Sequence, residues 1–363
     1  MKFRSTLAQL RAFDPPAALR DTTRPLLNLA LNENSLGSSP AVAAAVAAAL
    51  PQLHRYPPTF SDALRQALAR RHGVAADRFL VGNGIFELLG LITQAFVAEG
   101  DEVVIPTPSF GWYAISARAA GARIVAVPLA AHAIDLDAVA AAVTPATRLV
   151  WLCNPHNPMG SLVAAGAIRR LLERLPADVA VVLDEAYAEY ARPADLPDSA
   201  HWIDEHPNLI VLRTFSKAFG LAGLRVGYAI ASPPAVRELG KLKSPPNVNS
   251  LAQVAALAAL GDEDFLRRSV ATVHEAARAY PGFCASRGLG YVPTHANFVM
   301  IDLGQDGDAA ATEFLRQGIV IRSGSEIGLP SWIRVTLGLE HENRRVFELI
   351  DTLLAARRDG AAH

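Results

Sequence analysis

The chain has 363 residues, and its 34 basic and 35 acidic side chains leave a formal charge of −1. That length suits a large domain with a smaller one, and the balanced charge gives no electrostatic reason to expect nucleic acid or a membrane surface as a partner. Cys153 and Cys284 form no CxxC or Cys/His ligand pattern, so no metal is expected and both are read as reduced and buried in a cytoplasmic protein.

In chain order, the opening "MKFRSTLAQLRAFDPP" lacks an apolar core of signal-peptide length, and Pro15 and Pro16 end whatever helix it forms. "AVAAAVAAAL", Ala41 to Leu50, is a helix by propensity, too short to span a bilayer and bounded by Pro40 and Pro51. Apolar runs of strand length then alternate with longer helical patterns: "RFLVGN", "EVVIP", "RIVAVPL", "RLVWLCN", "VAVVLDEAY", "NLIVLR" and "RVGYAIA". This alternation predicts an α/β fold with a mainly parallel sheet covered by helices on both faces. After Pro245 and Pro246 the texture changes to one long helical region, Asn249 to Arg278. It is followed by "HANFVMIDL", a helix around Ala309 to Gln317, "GIVIRSG", "WIRVTLG" and a closing helix near 341 to 357. These read as a smaller α+β domain over 249–363, joined by an amino-terminal arm over 1–35, with the large domain over 36–248.

In open parallel sheets, ligands gather beyond the carboxyl ends of the strands, and there the polar residues stand. "VGNGIFELLG" follows a strand and opens a helix, so backbone amides after Gly84 are offered to a phosphate. A dinucleotide fingerprint would need a third glycine where Glu87 stands. In "PTPSFGWY", Phe110 is either a packing aromatic or a ring that stacks over a flat ligand. "NPHNPMG" has the composition of a turn, and its functional reading makes the Asn157 amide a donor to a ring oxygen, with His156 a loop residue. Asp184, ending "VAVVL", either caps the next helix or pairs with a protonated pyridine nitrogen. Tyr187 is either packing or within reach of the same ring oxygen. Lys217, in "RTFSKAFGLAGLRVGY", sits among Thr214, Ser216, Gly220, Gly223 and Arg225. An amine beside a phosphate-binding set suggests a Schiff-base lysine holding pyridoxal 5'-phosphate.

With these motifs in order, joined by "LNEN" at 31, "RYPP" at 55, "NVNSLAQ" at 247 and "WIRVTLG" at 332, nearly the whole chain resembles the fold-type I pyridoxal phosphate aminotransferases, and within them the histidinol-phosphate aminotransferase family. The resemblance implies a large domain built on a mainly parallel sheet and a smaller α+β domain. It implies that Gly84, Ile85, Thr214, Ser216 and Arg225 hold the cofactor phosphate, Asp184 the ring nitrogen, and Asn157 and Tyr187 the ring oxygen. Phe110 would stack on the ring and Lys217 would be both Schiff-base lysine and proton carrier. It further implies a homodimer in which Tyr56 reaches the neighbouring site, and a substrate anion held by Arg334 and Arg322, with Asn157 nearby. An amino donor and a 2-oxo acid would be the small-molecule partners. An aminotransferase of aromatic amino acids and a decarboxylase of the threonine-phosphate type are alternatives on the same scaffold. The chain departs from the family at Ile85 and Phe86, where serine or alanine followed by aspartate is usual, and in the arm "FDPPAALR", which lacks a tyrosine.

Overall fold

The computed structural model describes residues 1, 3–10 and 26–360, so the arm stretch Phe13 to Arg20, with Pro15 and Pro16, lies outside the described residues. Its strands are β1 Leu27–Asn28, β2 Phe79–Gly82, β3 Glu102–Thr107, β4 Arg123–Pro128, β5 Thr147–Cys153, β6 Ala180–Asp184, β7 Leu209–Thr214, β8 Gly227–Ile230, β9 Gly290–Val292, β10 Phe298–Asp302, β11 Ile319–Val320, β12 Arg322–Ser323 and β13 Trp332–Thr336. All seven apolar runs read from the sequence enter one seven-stranded sheet in the order β2-β8-β7-β6-β5-β3-β4. β8 runs antiparallel to both its neighbours and the other pairings are parallel, which is the mainly parallel sheet expected.

Alternate residues of each central strand go to opposite faces of this sheet. Leu149, Trp151, Ala180, Val182, Ile210 and Leu212 enter one hydrophobic cluster, and Val150, Leu152, Val181, Leu183, Leu209 and Val211 enter the other. Both faces are covered, so the strands read as continuous apolar runs rather than alternating ones. The second sheet is antiparallel, in the order β12-β13-β10-β9, and β1 pairs in parallel with β11. The first cluster runs on into this region through Phe298, Ile301, Ile333 and Val335.

One expectation about the carboxyl-terminal part is corrected. The region read as one helix is two, Ser250–Gly261 and Glu263–Ala285, because Asp262 leaves helical geometry and its side chain caps the second helix by accepting from Phe265 N at 3.0 Å. "GIVIRSG" is two short strands, since β11 pairs with β1 while β12 pairs with β13. Among the described residues no helix is long and apolar enough to cross a membrane.

The sheet face away from the first cluster carries a buried ion network. Arg213 Nε donates to Glu185 Oε2 at 2.6 Å, Arg213 Nη1 lies 3.6 Å from Glu189, and Ser199 Oγ donates to Glu185 at 3.1 Å. Removing one member of such a set strands the opposite charge in the interior. Arg213→Met is therefore expected to lower the unfolding free energy by about 3–5 kcal/mol, read from urea denaturation of the cofactor-free protein. A loss below roughly 1 kcal/mol would mean that the network carries no net stability.

Candidate active site

The site is assembled at the carboxyl ends of β5, β6 and β7. Cys153 lies opposite Asp184 in the β5–β6 register, and Thr214 lies opposite Gly227 in β7–β8. Strand parity puts Cys153, Asp184 and Thr214 on the face of the first cluster. Asp184 is buried, and its two oxygens accept from Ala186 N at 3.0 Å and from the Tyr113 hydroxyl at 2.6 Å. Burial pushes this carboxyl up to about 6, against the pull of the Tyr113 and Ala186 bonds and of Lys217.

Lys217 follows β7 on a loop and is half-buried, and its Nζ donates to Leu31 O at 2.8 Å and lies 5.8 Å from the centre of the Tyr187 ring. Desolvation, reinforced by the Arg334 guanidinium, brings the amine down to about 7. The Tyr187 hydroxyl accepts from Asn157 Nδ2 at 3.2 Å and from Asn32 Nδ2 at 3.0 Å. Asn157 Oδ1 accepts in turn from Arg334 Nη1 at 2.8 Å, and Arg334 Nη2 donates to Ala30 O at 2.9 Å. The buried Arg334 Nε has no hydrogen-bond partner among the described residues. Arg322 stands directly opposite Arg334 in the β12–β13 register and is 3.6 Å from Glu326.

A third group of residues surrounds the start of the helix Gly84–Phe96. Gly84 has φ +71°, and a β-carbon there would come within 2.6 Å of Arg225 Nη2. Only glycine lets the guanidinium approach the helix amino terminus this closely. Arg225 Nη1 donates to Ser216 Oγ at 3.4 Å and to Ala222 O at 2.8 Å, and Ser216 N donates to Thr214 Oγ1 at 3.0 Å. A β-carbon on Gly227 would lie 3.2 Å from Ile85 N, so the helix start is seated on the β8 end beside Thr214. Free amides, two hydroxyls and a guanidinium thus meet with no carboxylate paired to Arg225 among the described residues, which is the donor set of a phosphate site.

Lys217, Asp184, Asn157, Tyr187 and Arg334 are linked by these bonds and contacts, and Gly84, Ile85, Thr214, Ser216 and Arg225 form the phosphate-type cradle beside them. The Phe110 ring meets Tyr113 edge-on at 5.5 Å and Phe86 edge-on at 5.4 Å. Tyr56 is not joined to this group within the chain and is 87% exposed. Tyr113, Asn32 and Trp151 were not among the residues expected from sequence. Tyr113 lies three residues beyond Phe110, in the first turn of the helix that Phe110 precedes, and its backbone N–H donates to Phe110 O at 3.1 Å. Asn32 lies inside the quoted "LNEN", but nothing local tells which of its polar residues turns inward.

The residues present fit a phosphorylated pyridine aldehyde: a cradle only glycine permits, a buried carboxylate with acceptor capacity left, and an amine already partly neutral near pH 7. These are the parts of a group-transfer enzyme that works through a bound cofactor. Residues 24–350 match the model of the family described as aminotransferase class I and II, and the chain belongs to that family. The chain is 44% identical to histidinol-phosphate aminotransferase 2 of Ralstonia nicotianae, over 91% of its own length and 89% of the relative's. It is 39% identical to histidinol-phosphate aminotransferase of Geobacillus thermodenitrificans, over 99% of this chain and all of that one. The crystal structure of histidinol-phosphate aminotransferase from Sinorhizobium meliloti in complex with pyridoxal-5'-phosphate superposes with a TM-score of 0.90 at 32% identity, covering 97% of this chain and 98% of that one.

The state of Lys217 makes a prediction. Only the free amine attacks an aldehyde, so capture of pyridoxal phosphate by the cofactor-free protein is expected to accelerate with pH and level off just above about 7, the lowered value. A rate still rising steeply beyond pH 9 in stopped-flow absorbance would mean that the amine behaves as an ordinary surface lysine.

Proposed function

We propose that the protein is a pyridoxal phosphate-dependent aminotransferase that exchanges an amino group between histidinol phosphate and a 2-oxo acid, with glutamate and 2-oxoglutarate as the other pair. The observation that carries the substrate half is the Arg322–Arg334 cross-strand pair beside Asn157. Two guanidiniums opposite each other suit a phosphate better than a single carboxylate, and the histidinol-phosphate aminotransferases to which the chain is 39% and 44% identical support the same choice.

In this reading Thr214, Ser216, Arg225 and the amides of Gly84 and Ile85 hold the cofactor phosphate. Asp184 holds the ring nitrogen protonated, Asn157 and Tyr187 donate to the ring oxygen, and Phe110 covers the ring. When bound, the cofactor supplies an electron sink for charge developing at the substrate's α carbon. Lys217 Nζ removes the α proton and returns a proton, a task suited to an amine lowered to about 7. Arg334 orients the substrate's anionic end while Arg322 adds the second charge a phosphate calls for. The large domain of this reading spans 36–248 and the small one 249–363, with the arm over 1–35 joining the latter, as the pairing of Leu27 and Asn28 with β11 supports.

The proposal includes a cytoplasmic homodimer. Tyr56, Leu53, Phe60 and Leu50 are all exposed within one short stretch, an apolar surface suited to a second copy. Tyr56 of each subunit would then complete the neighbour's phosphate site.

Four measurements test these assignments. Lys217→Ala is expected to lose the bound cofactor's absorption band and transamination together, and undiminished turnover would sink the lysine's role. Arg334→Lys is expected to slow both half-reactions by roughly tenfold to a hundredfold while leaving the band intact. Arg322→Ala should impair histidinol phosphate far more than glutamate, and equal losses with both would favour a carboxylate-only substrate. For the dimer, mixing inactive Tyr56→Ala with inactive Lys217→Ala chains should restore part of the activity after subunit exchange. No recovery despite demonstrated exchange would assign each site to one chain.

A further inference from the structure

We infer that Tyr113 is a positioning residue for the cofactor's ring nitrogen: its hydroxyl commits one oxygen of Asp184 and fixes the carboxylate's rotation, leaving the remaining acceptor capacity for the ring N–H. This inference rests on the pyridoxal reading above. The Tyr113 hydroxyl donates to Asp184 Oδ2 at 2.6 Å, and both side chains are buried. The tyrosine is itself held: its ring stacks on Trp151 with centroids 4.7 Å apart and planes 5° from parallel, and Phe110 meets it edge-on at 5.5 Å. Phe110, the residue just before the helix Gly111–Ala120, and Tyr113 in its first turn thus place together the ring proposed to cover the cofactor and the donor that orients its carboxylate partner.

A carboxylate has about four lone-pair sites, and Ala186 N and Tyr113 O–H occupy one on each oxygen. The neighbouring Cys153 thiol donates to Pro155 O at 3.2 Å instead. A buried carboxylate with one donor fewer is held in its charged form less firmly, and with Ala186 N as the remaining donor its rotation is less fixed; each change weakens its grip on a cation. Packing alone does not demand the hydroxyl, since phenylalanine would keep the stack on Trp151.

The test is a double-mutant cycle on cofactor affinity, measured by titrating the cofactor-free protein with pyridoxal phosphate and following its tryptophan fluorescence. Tyr113→Phe is expected to raise Kd about tenfold in the wild-type background, the effect of one charge-assisted hydrogen bond. In an Asp184→Asn background the same change is expected to move Kd by less than roughly twofold, because the partner it acts through is gone. An unchanged Kd in the wild-type background, or the same loss in both, would overturn the inference. Trp151→Phe keeps the Tyr113 hydroxyl and removes only part of the stack, and is expected to bind within roughly threefold of wild type. It carries the test if Tyr113→Phe melts early: a loss of affinity as large as that of Tyr113→Leu, with both variants melting like the wild type, would assign the effect to packing and overturn the donor role. A wild-type protein that takes up no cofactor overturns the pyridoxal reading, and this inference with it.

Discussion

Adjacent residues on a strand face opposite ways, and at the ends of β6 and β7 this separates two charged systems that would otherwise neutralise each other. Asp184 and Thr214 fall on the face shared with Tyr113, while Glu185 and Arg213 fall on the reverse, where they pair at 2.6 Å. Arg213, the cation nearest to Asp184 in sequence terms on the paired strand, is thereby engaged elsewhere. Asp184 keeps only neutral donors, Tyr113 and Ala186, and so retains its demand for a cation from a ligand. A one-residue slip of either strand would exchange the two systems and abolish the site.

The crevice itself holds more fixed positive charge than negative. Three guanidiniums, those of Arg225, Arg322 and Arg334, stand against the carboxylates of Asp184 and Glu33, with Glu326 partly offsetting Arg322. The excess has two consequences. Anionic ligands are favoured, both at the Gly84 cradle and at the Arg322–Arg334 pair. The guanidiniums of Arg334 and Arg225, added to burial, disfavour the ammonium of Lys217, so the charges proposed to hold anions also prepare the amine for proton transfer.

The large sheet was legible because its strands are buried on both faces and read as unbroken apolar runs between turns, and every one of the seven entered it. The parts that were not legible turn on local geometry. Asp262 interrupts a helical pattern with a single capping residue, which periodicity cannot distinguish from continuation. β11 and β12 separate because their partners differ, a fact of tertiary pairing. In the site, Lys217, Asp184 and Arg225 announced themselves as charged residues at strand ends, where an unpaired charge is costly. Tyr113 and Asn32 did not, since an aromatic in a helix and an asparagine in a loop each have an ordinary structural reading.

The departure at Ile85 and Phe86 follows from which atoms the cradle uses. A helix amino terminus offers backbone amides, so the side chains of its first turn are free to change without removing the donors. Ile85 is buried and joins the first hydrophobic cluster, adding apolar contact beneath the helix start. Phe86 points the other way and is 45% exposed, with its ring 5.4 Å from Phe110, 5.1 Å from Trp112 and 6.0 Å from the Arg225 guanidinium. An aspartate at this position would give Arg225 a carboxylate partner at the surface; the phenylalanine gives it a ring face instead and leaves the guanidinium's charge for the ligand. The same ring braces Phe110 edge-on, so the substitution stiffens the proposed ring-covering side chain through aromatic contact.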